Sequence, residues 1–84
     1  METRIRLDSQ YRESFYKKIE EFREGNLPKG VRFDKFQKYT LYVSEATVFL
    51  LPSNIDTNII ILGNKEETKS AISVLEEMTR VVLN

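Results

Sequence analysis

The stretch Leu27-Pro28-Lys29-Gly30-Val31-Arg32-Phe33 decides how this 84-residue chain folds. Proline fixes φ at position 28, and Gly30 can adopt a positive φ that other residues disfavour. The stretch therefore predicts a rigid turn that redirects the chain from a long helix onto a sheet at a defined angle. A strand and a helix are expected before this turn, and strands followed by one closing helix after it.

Five stretches alternate, or run continuously apolar, in the way of β-strands. They are Thr3–Leu7, the residues around Val31 and Phe33, Tyr39–Val43, Thr47–Leu51 and Asn58–Leu62. Pro52–Asp56 is rich in turn-forming residues and predicts a hairpin loop between the last two strands. Lys35–Lys38 interrupts the alternation, which indicates a bulge or a short connection.

Two helices are predicted, one on each side of the group of four later strands. Asp8 is a suitable N-cap for the first helix, which is expected to stop at Gly25-Asn26. Asn64 and Glu67 have the spacing of a capping box for the second, which is expected to fray at Asn84. The apolar stripes of the two helices consist of Tyr11, Phe15, Ile19 and Phe22, and of Ile72, Leu75, Met78 and Val82 with Ala71 beside them.

The order of elements is therefore strand, helix, four strands, helix. Helices with one apolar stripe each, combined with strands that alternate, predict an α+β fold in which an antiparallel sheet carries both helices on one face. The length is that of a single domain over residues 1–84. The other face of the sheet would stay open, and it is there that we expect function to lie.

Composition and charge exclude several kinds of chemistry. The chain has no histidine and no cysteine, which removes disulfides, thiol nucleophiles, Cys/His zinc sites and imidazole catalysis. We therefore expect no enzymatic activity and no cofactor or metal. Apolar runs of only four residues and the lack of a secretory leader predict a cytoplasmic protein with no membrane partner. The charged residues outside the helix stripes, among them Arg12 and Arg23, are expected to be solvated.

The net charge is zero, but the charge is unevenly distributed. Residues 1–44 carry ten Lys/Arg and seven Asp/Glu, a balance of +3, whereas residues 45–84 carry three and six, a balance of −3. The first half can therefore face a polyanion. A neutral total argues against strong non-specific binding of nucleic acid, which grows with the number of phosphates neutralised.

The chain resembles the N-terminal domain of ribonuclease HIII, which has the fold of one half-repeat of TATA-binding protein. The resemblance covers nearly the whole chain and depends on its order of elements and on the residues Leu27, Pro28, Gly30 and Phe33, with Gly63 before Lys65-Glu66-Glu67. The loop Pro52–Asn58 is longer than the hairpin usual in that family, and these residues do not include the family's catalytic domain. The resemblance implies a substrate-binding module for RNA/DNA hybrid or duplex, without hydrolysis.

Alternation indicates which residues could meet such a ligand on the open face. Arginine can neutralise phosphates, and an aromatic ring can stack on a sugar or a base. The lysines interleaved with Phe36 and Tyr39 would extend the same positive region. The predicted nucleic-acid-binding residues are Arg4, Arg6, Arg32, Lys35, Lys38, Thr40 and Tyr42.

Two alternatives remain open at this point. The apolar strands over residues 48–51 and 59–62 suggest that both of their faces are covered, which would suit a protein-interaction domain or a homodimer. The second alternative is a KH-like RNA-binding module. Gly25 and Gly30 are five positions apart, whereas the KH loop spaces its glycines by three, so this alternative has weaker support.

Overall fold

A computed structural model describes residues 1–83 of the chain. The order of elements is the predicted one, although most strands are a residue or two shorter or shifted, so that Arg6, Leu7, Tyr39, Leu51 and Asn58 lie just outside them. The elements are β1 (Glu2–Ile5), α1 (Ser9–Glu24), β2 (Val31–Phe33), β3 (Thr40–Val43), β4 (Ala46–Leu50), β5 (Ile59–Leu62) and α2 (Lys65–Thr79).

The five strands form one antiparallel sheet in the order β1-β5-β4-β3-β2. The last four strands follow one another as a meander, and the first strand pairs with the last, with Thr3 opposite Ile61. The Pro52–Asp56 hairpin loop between β4 and β5 is therefore confirmed. The strands β1 and β2 are the two edges of the sheet. Although they are the first two strands in the sequence, they therefore lie on opposite sides of the sheet.

Both helices cover the same face of this sheet, as predicted. In each strand the residues of one parity face the helices and, apart from Thr3, belong to the buried core or pack against it, and the residues of the other parity point away from the helices. Phe15 and Ile19 of α1 and Ala71, Leu75 and Met78 of α2 fill the space above the buried strand residues. The buried strand residues are Ile5, Val31, Leu41, Val43, Ala46, Val48, Leu50, Ile59 and Ile61.

The predicted helix caps are present. The Asp8 carboxylate accepts a hydrogen bond from the backbone N–H of Gln10 at 3.1 Å. Asn64 and Glu67 form the complete capping box, in which each side chain accepts from the other residue's backbone N–H at 2.8 Å. Such caps satisfy N–H groups that have no partner within the helix, which fixes where each helix begins.

The end of α2 differs from the prediction. The helix stops at Thr79 because Arg80 adopts a left-handed conformation with a φ of 60°. The parity of the following residues is thereby reversed, so that Val81 and Leu83 are buried and Val82 is 75% exposed. Placing Val82 on the apolar stripe was wrong, because no glycine in the sequence marked this end of the helix. The expected fraying at Asn84 concerns a residue outside the described part of the chain.

The deciding turn forms as predicted. Gly30 has a φ of +84°, and its carbonyl accepts a hydrogen bond of 2.7 Å from the backbone N–H of Ser44. Ser44 begins the two-residue loop between β3 and β4 and itself has a φ of 53°. The Gly30 turn and this loop are therefore in direct contact, which fixes the start of β2 relative to the β3–β4 hairpin.

Asn58 is a fully buried polar residue immediately before β5. Its side-chain oxygen accepts from the backbone N–H of Leu7 at 2.8 Å, and its side-chain amide donates to the carbonyl of Asn54 at 2.5 Å. Leu7 lies in the β1–α1 connection, and Asn54 lies in the hairpin loop. One side chain thus joins two connections that are far apart in sequence.

The backbone of Asn58 makes three further hydrogen bonds. Its N–H donates to the carbonyl of Ile5 at 2.9 Å, and its carbonyl accepts from the N–H of Leu51 at 2.7 Å. The hydroxyl of Tyr16 in α1 donates to the same carbonyl at 3.1 Å. Burial is the largest of the causes that raise the pKa of Tyr16 to about 12, so this hydroxyl remains a donor throughout the neutral range.

Two arginines expected to be solvated have structural contacts instead. Arg12 donates from its guanidinium to the carbonyl of Pro52 and holds the hairpin loop against α1. Arg23 places its guanidinium 4.4 Å from the centroid of the Phe33 ring. The Arg12 guanidinium is held by a hydrogen bond, and the Arg23 guanidinium keeps its charge while covering an aromatic ring. Neither residue is therefore a free surface cation.

Replacing Asn58 with alanine tests the importance of its buried hydrogen bonds. Asn58→Ala leaves the N–H of Leu7 without its partner and the carbonyl of Asn54 with only a long hydrogen bond from Arg12, so we expect the free energy of unfolding to fall by about 2–3 kcal/mol. The measurement is urea unfolding followed by circular dichroism. Asn26→Ala, at an exposed asparagine, is the matched control and should change stability by less than about 0.5 kcal/mol. Equal effects of the two substitutions would contradict the assignment.

Replacing Ser44 with glycine should stabilise the fold. A positive φ is unfavourable for serine and is readily adopted by glycine, so Ser44→Gly should raise the free energy of unfolding by about 0.5–1 kcal/mol. Ser53→Gly is the control, because Ser53 has no positive φ and the substitution only adds freedom to the unfolded chain. Thermal unfolding should therefore shift upward for the first variant and downward for the second.

Candidate nucleic-acid interface

The side of the sheet away from the helices, called the open face below, consists of two rows of side chains that run across the strands. The strand register places these rows one pleat apart. The first row is Arg4, Ile60, Phe49 and Thr40, continued by Asp34, and the second row is Glu2, Leu62, Thr47, Tyr42 and Arg32.

The centre of the open face is apolar. Phe49 and Ile60 are partly exposed on adjacent strands, and Leu62 is 38% exposed beside them. These side chains are not part of the buried core, in contrast to the residues of opposite parity in the same strands. The nearly continuous apolar character of β4 and β5 thus reflects one face in the core and one face directed toward solvent.

The two arginines within the rows lie at opposite edges of the sheet. Arg4 is on β1 and Arg32 is on β2, separated by four strand spacings, or about 19 Å. Arg4 is not a free cation, because its Nε atom lies 2.7 Å from a carboxylate oxygen of Glu2. Both side chains of this ion pair are largely exposed, and such pairs contribute little to stability.

At the other edge, Arg32 is stacked on Tyr42. The guanidinium lies 4.1 Å from the ring centroid, so it covers one face of the ring. The Tyr42 hydroxyl donates to Asp34 at 2.6 Å. This hydrogen bond is the largest of the causes that lower the pKa of the Asp34 carboxyl, followed by the N–H groups of Phe36 and Gln37, and it also raises the pKa of Tyr42.

Asp34 also organises the connection between β2 and β3. One oxygen of its carboxylate accepts from the backbone N–H groups of Phe36 and Gln37 at 2.8 and 2.9 Å. The short connection predicted for this segment is therefore a turn capped by a side chain. It presents Phe36, which is 91% exposed, between the exposed residues Lys35 and Lys38. An aromatic ring held in water by a defined turn is available to contact a partner.

The predicted site residues fall into separate groups. Arg32 and Tyr42 are in contact at the β2 edge, with Lys35 and Lys38 on the adjoining turn. Arg4 occupies the β1 edge, and Arg6 lies just beyond the end of β1. Thr40 is on the open face but only 8% exposed, so it offers little surface to a ligand.

Sequence reasoning missed Glu2, Asp34 and Phe49 as members of the same surface. The sequence indicates which face of its own strand each residue occupies, but only the strand register shows that the three residues lie on one surface. The two carboxylates give each edge one anion beside its arginine. Within the rows each edge therefore carries one cation and one anion, while Arg6, Lys35 and Lys38 add positive charge just beyond the rows.

Residues 1–83 contain neither a candidate metal cluster nor a helix that could span a membrane. No three carboxylates in this part of the chain come close enough to hold a metal ion. Neither described helix combines the length and the apolar character required to cross a bilayer.

Comparison with known proteins adds no relative to this description. No protein-family model matches the chain, and neither a curated protein nor a solved structure shows significant similarity to it. The resemblance to the ribonuclease HIII domain stays a prediction from the residues named above.

The contact between Tyr42 and Asp34 predicts a pH dependence. A carboxyl whose pKa is lowered by folding stabilises the fold above its unfolded-state pKa, and this contribution is lost as the pH falls through the lowered value. Tyr42→Phe removes the main cause, so the pKa of Asp34 should rise toward its ordinary value. The measurement is an NMR titration of the Asp34 carboxyl carbon. Tyr11→Phe is the control and should leave that titration unchanged.

Proposed function

We propose that this chain is a non-catalytic nucleic-acid-binding module that holds an RNA/DNA hybrid or duplex across the open face. The observation that carries the proposal is the arrangement of that face, with an apolar and aromatic centre and one arginine at each edge. Phosphate contacts position a double helix without reading its sequence, and arginine is well suited to make them. The cytoplasm is the compartment that we propose for this module.

The distance between the edges suits a ligand with two backbones. Arg4 and Arg32 can each meet a phosphate on a different strand of one double helix, while Phe49, Ile60 and Leu62 lie between them. Apolar sheet residues can contact sugars and base edges in a minor groove, which is wide and shallow in A-form helices. This favours a helix with A-like character, such as a hybrid, over a ligand with a narrow groove.

The β2–β3 turn would add a second contact at one end of the face. Lys35 and Lys38 are exposed on either side of Phe36 and can meet the phosphates next to a step that the ring contacts. Apolar wedges of this kind are common in proteins that bind the minor groove. The turn is already ordered by Asp34, so little conformational entropy would be lost on binding.

The carboxylates of Glu2 and Asp34 limit the strength of the proposed complex. Each would lie near a phosphate unless its neighbouring cation stayed between them. We therefore expect moderate affinity with clear salt dependence, consistent with the zero net charge of the chain. The KH-like alternative receives no support, because the Gly25–Gly30 segment joins a helix to a strand and does not join two helices.

Fluorescence anisotropy with a labelled hybrid tests the proposal. Arg4→Ala and Arg32→Ala should each weaken binding by about three- to tenfold and reduce the slope of log K against log salt concentration by about 1. Phe36→Ala should weaken binding with little change in that slope, because the ring makes no ion contact. Lys17→Ala removes an equal charge from the outer side of α1 and is the matched control.

Three results would contradict the proposal. One is the absence of binding to hybrid and duplex probes at low salt. Another is equal loss of binding for Lys17→Ala and the two arginine variants, which would indicate attraction without a defined surface. The third is a clear preference for single strands, which would indicate that bases stack on the face without a paired helix.

A further inference from the structure

The open face is complementary to itself in charge. Its β1 edge carries Arg4 and Glu2, and its β2 edge carries Arg32 and Asp34, so each edge has one cation and one anion in different rows. The apolar residues lie between these edges. A surface of this kind suits an isologous interface, in which the same patch serves both subunits.

We infer that the open face is also a homodimer interface, in which the sheets of two copies pack face to face around a two-fold axis lying between them. Phe49, Ile60 and Leu62 would then be covered by the same residues of the partner copy. Two sheets packed in this way stay about 10 Å apart with their strands roughly aligned. The inference depends on the charges and shape of the face and does not depend on the proposed binding of nucleic acid.

Two orientations of the axis give each of the four charged residues in the rows, Glu2, Arg4, Arg32 and Asp34, an opposite partner. With the axis along β4, the β1 edge lies over the β2 edge of the partner, so that Glu2 faces Arg32 of the partner subunit and Arg4 faces Asp34 of the partner subunit. With the axis across the strands, each edge lies over its own counterpart, so that Arg4 faces Glu2 of the partner subunit. In both orientations, opposite charges surround an apolar centre.

The size of the face predicts a weak dimer. It spans about 19 Å across the strands and about 14 Å along them, a footprint under half of the roughly 800 Å² that each partner buries in a standard interface. We therefore expect association only at high protein concentration. Since Arg4 and Arg32 would be covered, a dimer of this kind and a complex with a double helix would exclude each other.

Charge reversal combined with sedimentation equilibrium tests the inference in the absence of nucleic acid. The wild-type chain should shift from monomer to dimer between about 10 and 500 µM. Glu2→Arg and Arg32→Glu should each raise the dissociation constant at least about tenfold, because each creates a pair of like charges in either orientation. Glu13→Arg and Lys17→Glu reverse exposed charges on α1 and should leave the dissociation constant of the dimer unchanged.

Two double variants identify the pairs across the interface. Glu2→Arg with Arg32→Glu restores association only if the axis runs along β4, since these residues are about 19 Å apart within one copy and cannot rescue each other there. Glu2→Arg with Arg4→Glu restores it only for the other orientation. Rescue to within about threefold by Glu2→Arg with Arg32→Glu supports the inference, because coupling across an interface is what such a cycle isolates. Glu2 and Arg4 also form an ion pair within one copy, so rescue by the second double variant supports the inference only if Glu2→Arg leaves the thermal stability of the monomer unchanged.

Other outcomes would overturn the inference. They are a wild-type chain that stays monomeric up to about 500 µM, single reversals that have no effect, and failure of both double variants to restore association. Thr47→Lys supplies a further check, since it places a charge at the apolar centre without touching the edges and should abolish the dimer. Circular dichroism melting establishes that each variant is folded, and the hybrid-binding assay is scored separately, so that either proposal can fail alone.

Discussion

The hydrogen bonds of Asn58 are the constraint on which the rest of this structure depends. A buried amide must have its donor and acceptor groups satisfied, and here the partners come from the β1–α1 connection and from the loop between β4 and β5. The backbone of Asn58 makes further hydrogen bonds with Ile5 at the end of β1, with Leu51 just after β4 and with the hydroxyl of Tyr16. The edge strand β1 is thereby set in one register against β5, and a shift by one residue would leave these groups unpaired in the core.

That register determines what the open face can be. With Arg4 opposite Ile60, the polar parity of β1 points away from the helices, on the same side as Ile60 and Leu62 of β5 and as Arg32 at the other edge. The surface therefore has an apolar centre and charged edges, although no single strand contains that pattern. Both proposed uses of the face, for a double helix and for a second copy, depend on this arrangement, and they differ in whether phosphates or carboxylates meet the arginines.

Much of the fold was predictable because its causes are local. The helix caps and the Gly30 turn depend on contacts within three or four residues. The sequence alone therefore indicates that the helices start after Asp8 and Asn64 and that the chain turns at Gly30. The period-two alternation correctly assigned Ile5, Val31, Phe33, Leu41 and Val43 to the core face, but it placed the exposed Tyr39 there and assigned no face in the last two strands. Arg80 was not predictable, because a non-glycine residue in the left-handed conformation leaves no local signal and is held there by the burial of Val81 and Leu83.

The candidate site was less predictable than the fold because it depends on which strands are neighbours. Parity placed Arg4 and Arg32 on one face, but only the pairing of the first strand with the last shows that they occupy opposite edges. Likewise, the sequence does not indicate the ion pair of Arg4 with Glu2 or the stacking of Arg32 on Tyr42, because both contacts depend on where the side chains lie. Thr40 has the right parity, yet its neighbours cover it, which alternation cannot indicate.

The pairing of β1 with β5 also constrains how the chain reaches its native state. The strands β2 to β5 join through short connections and can assemble at a low entropic cost of loop closure. The strand β1 has no partner until β5 has formed, because β5 is its only neighbour in the sheet and comes much later in the sequence. Contacts this distant in sequence slow folding, so we expect the meander to form first and the N-terminal strand to complete the sheet last.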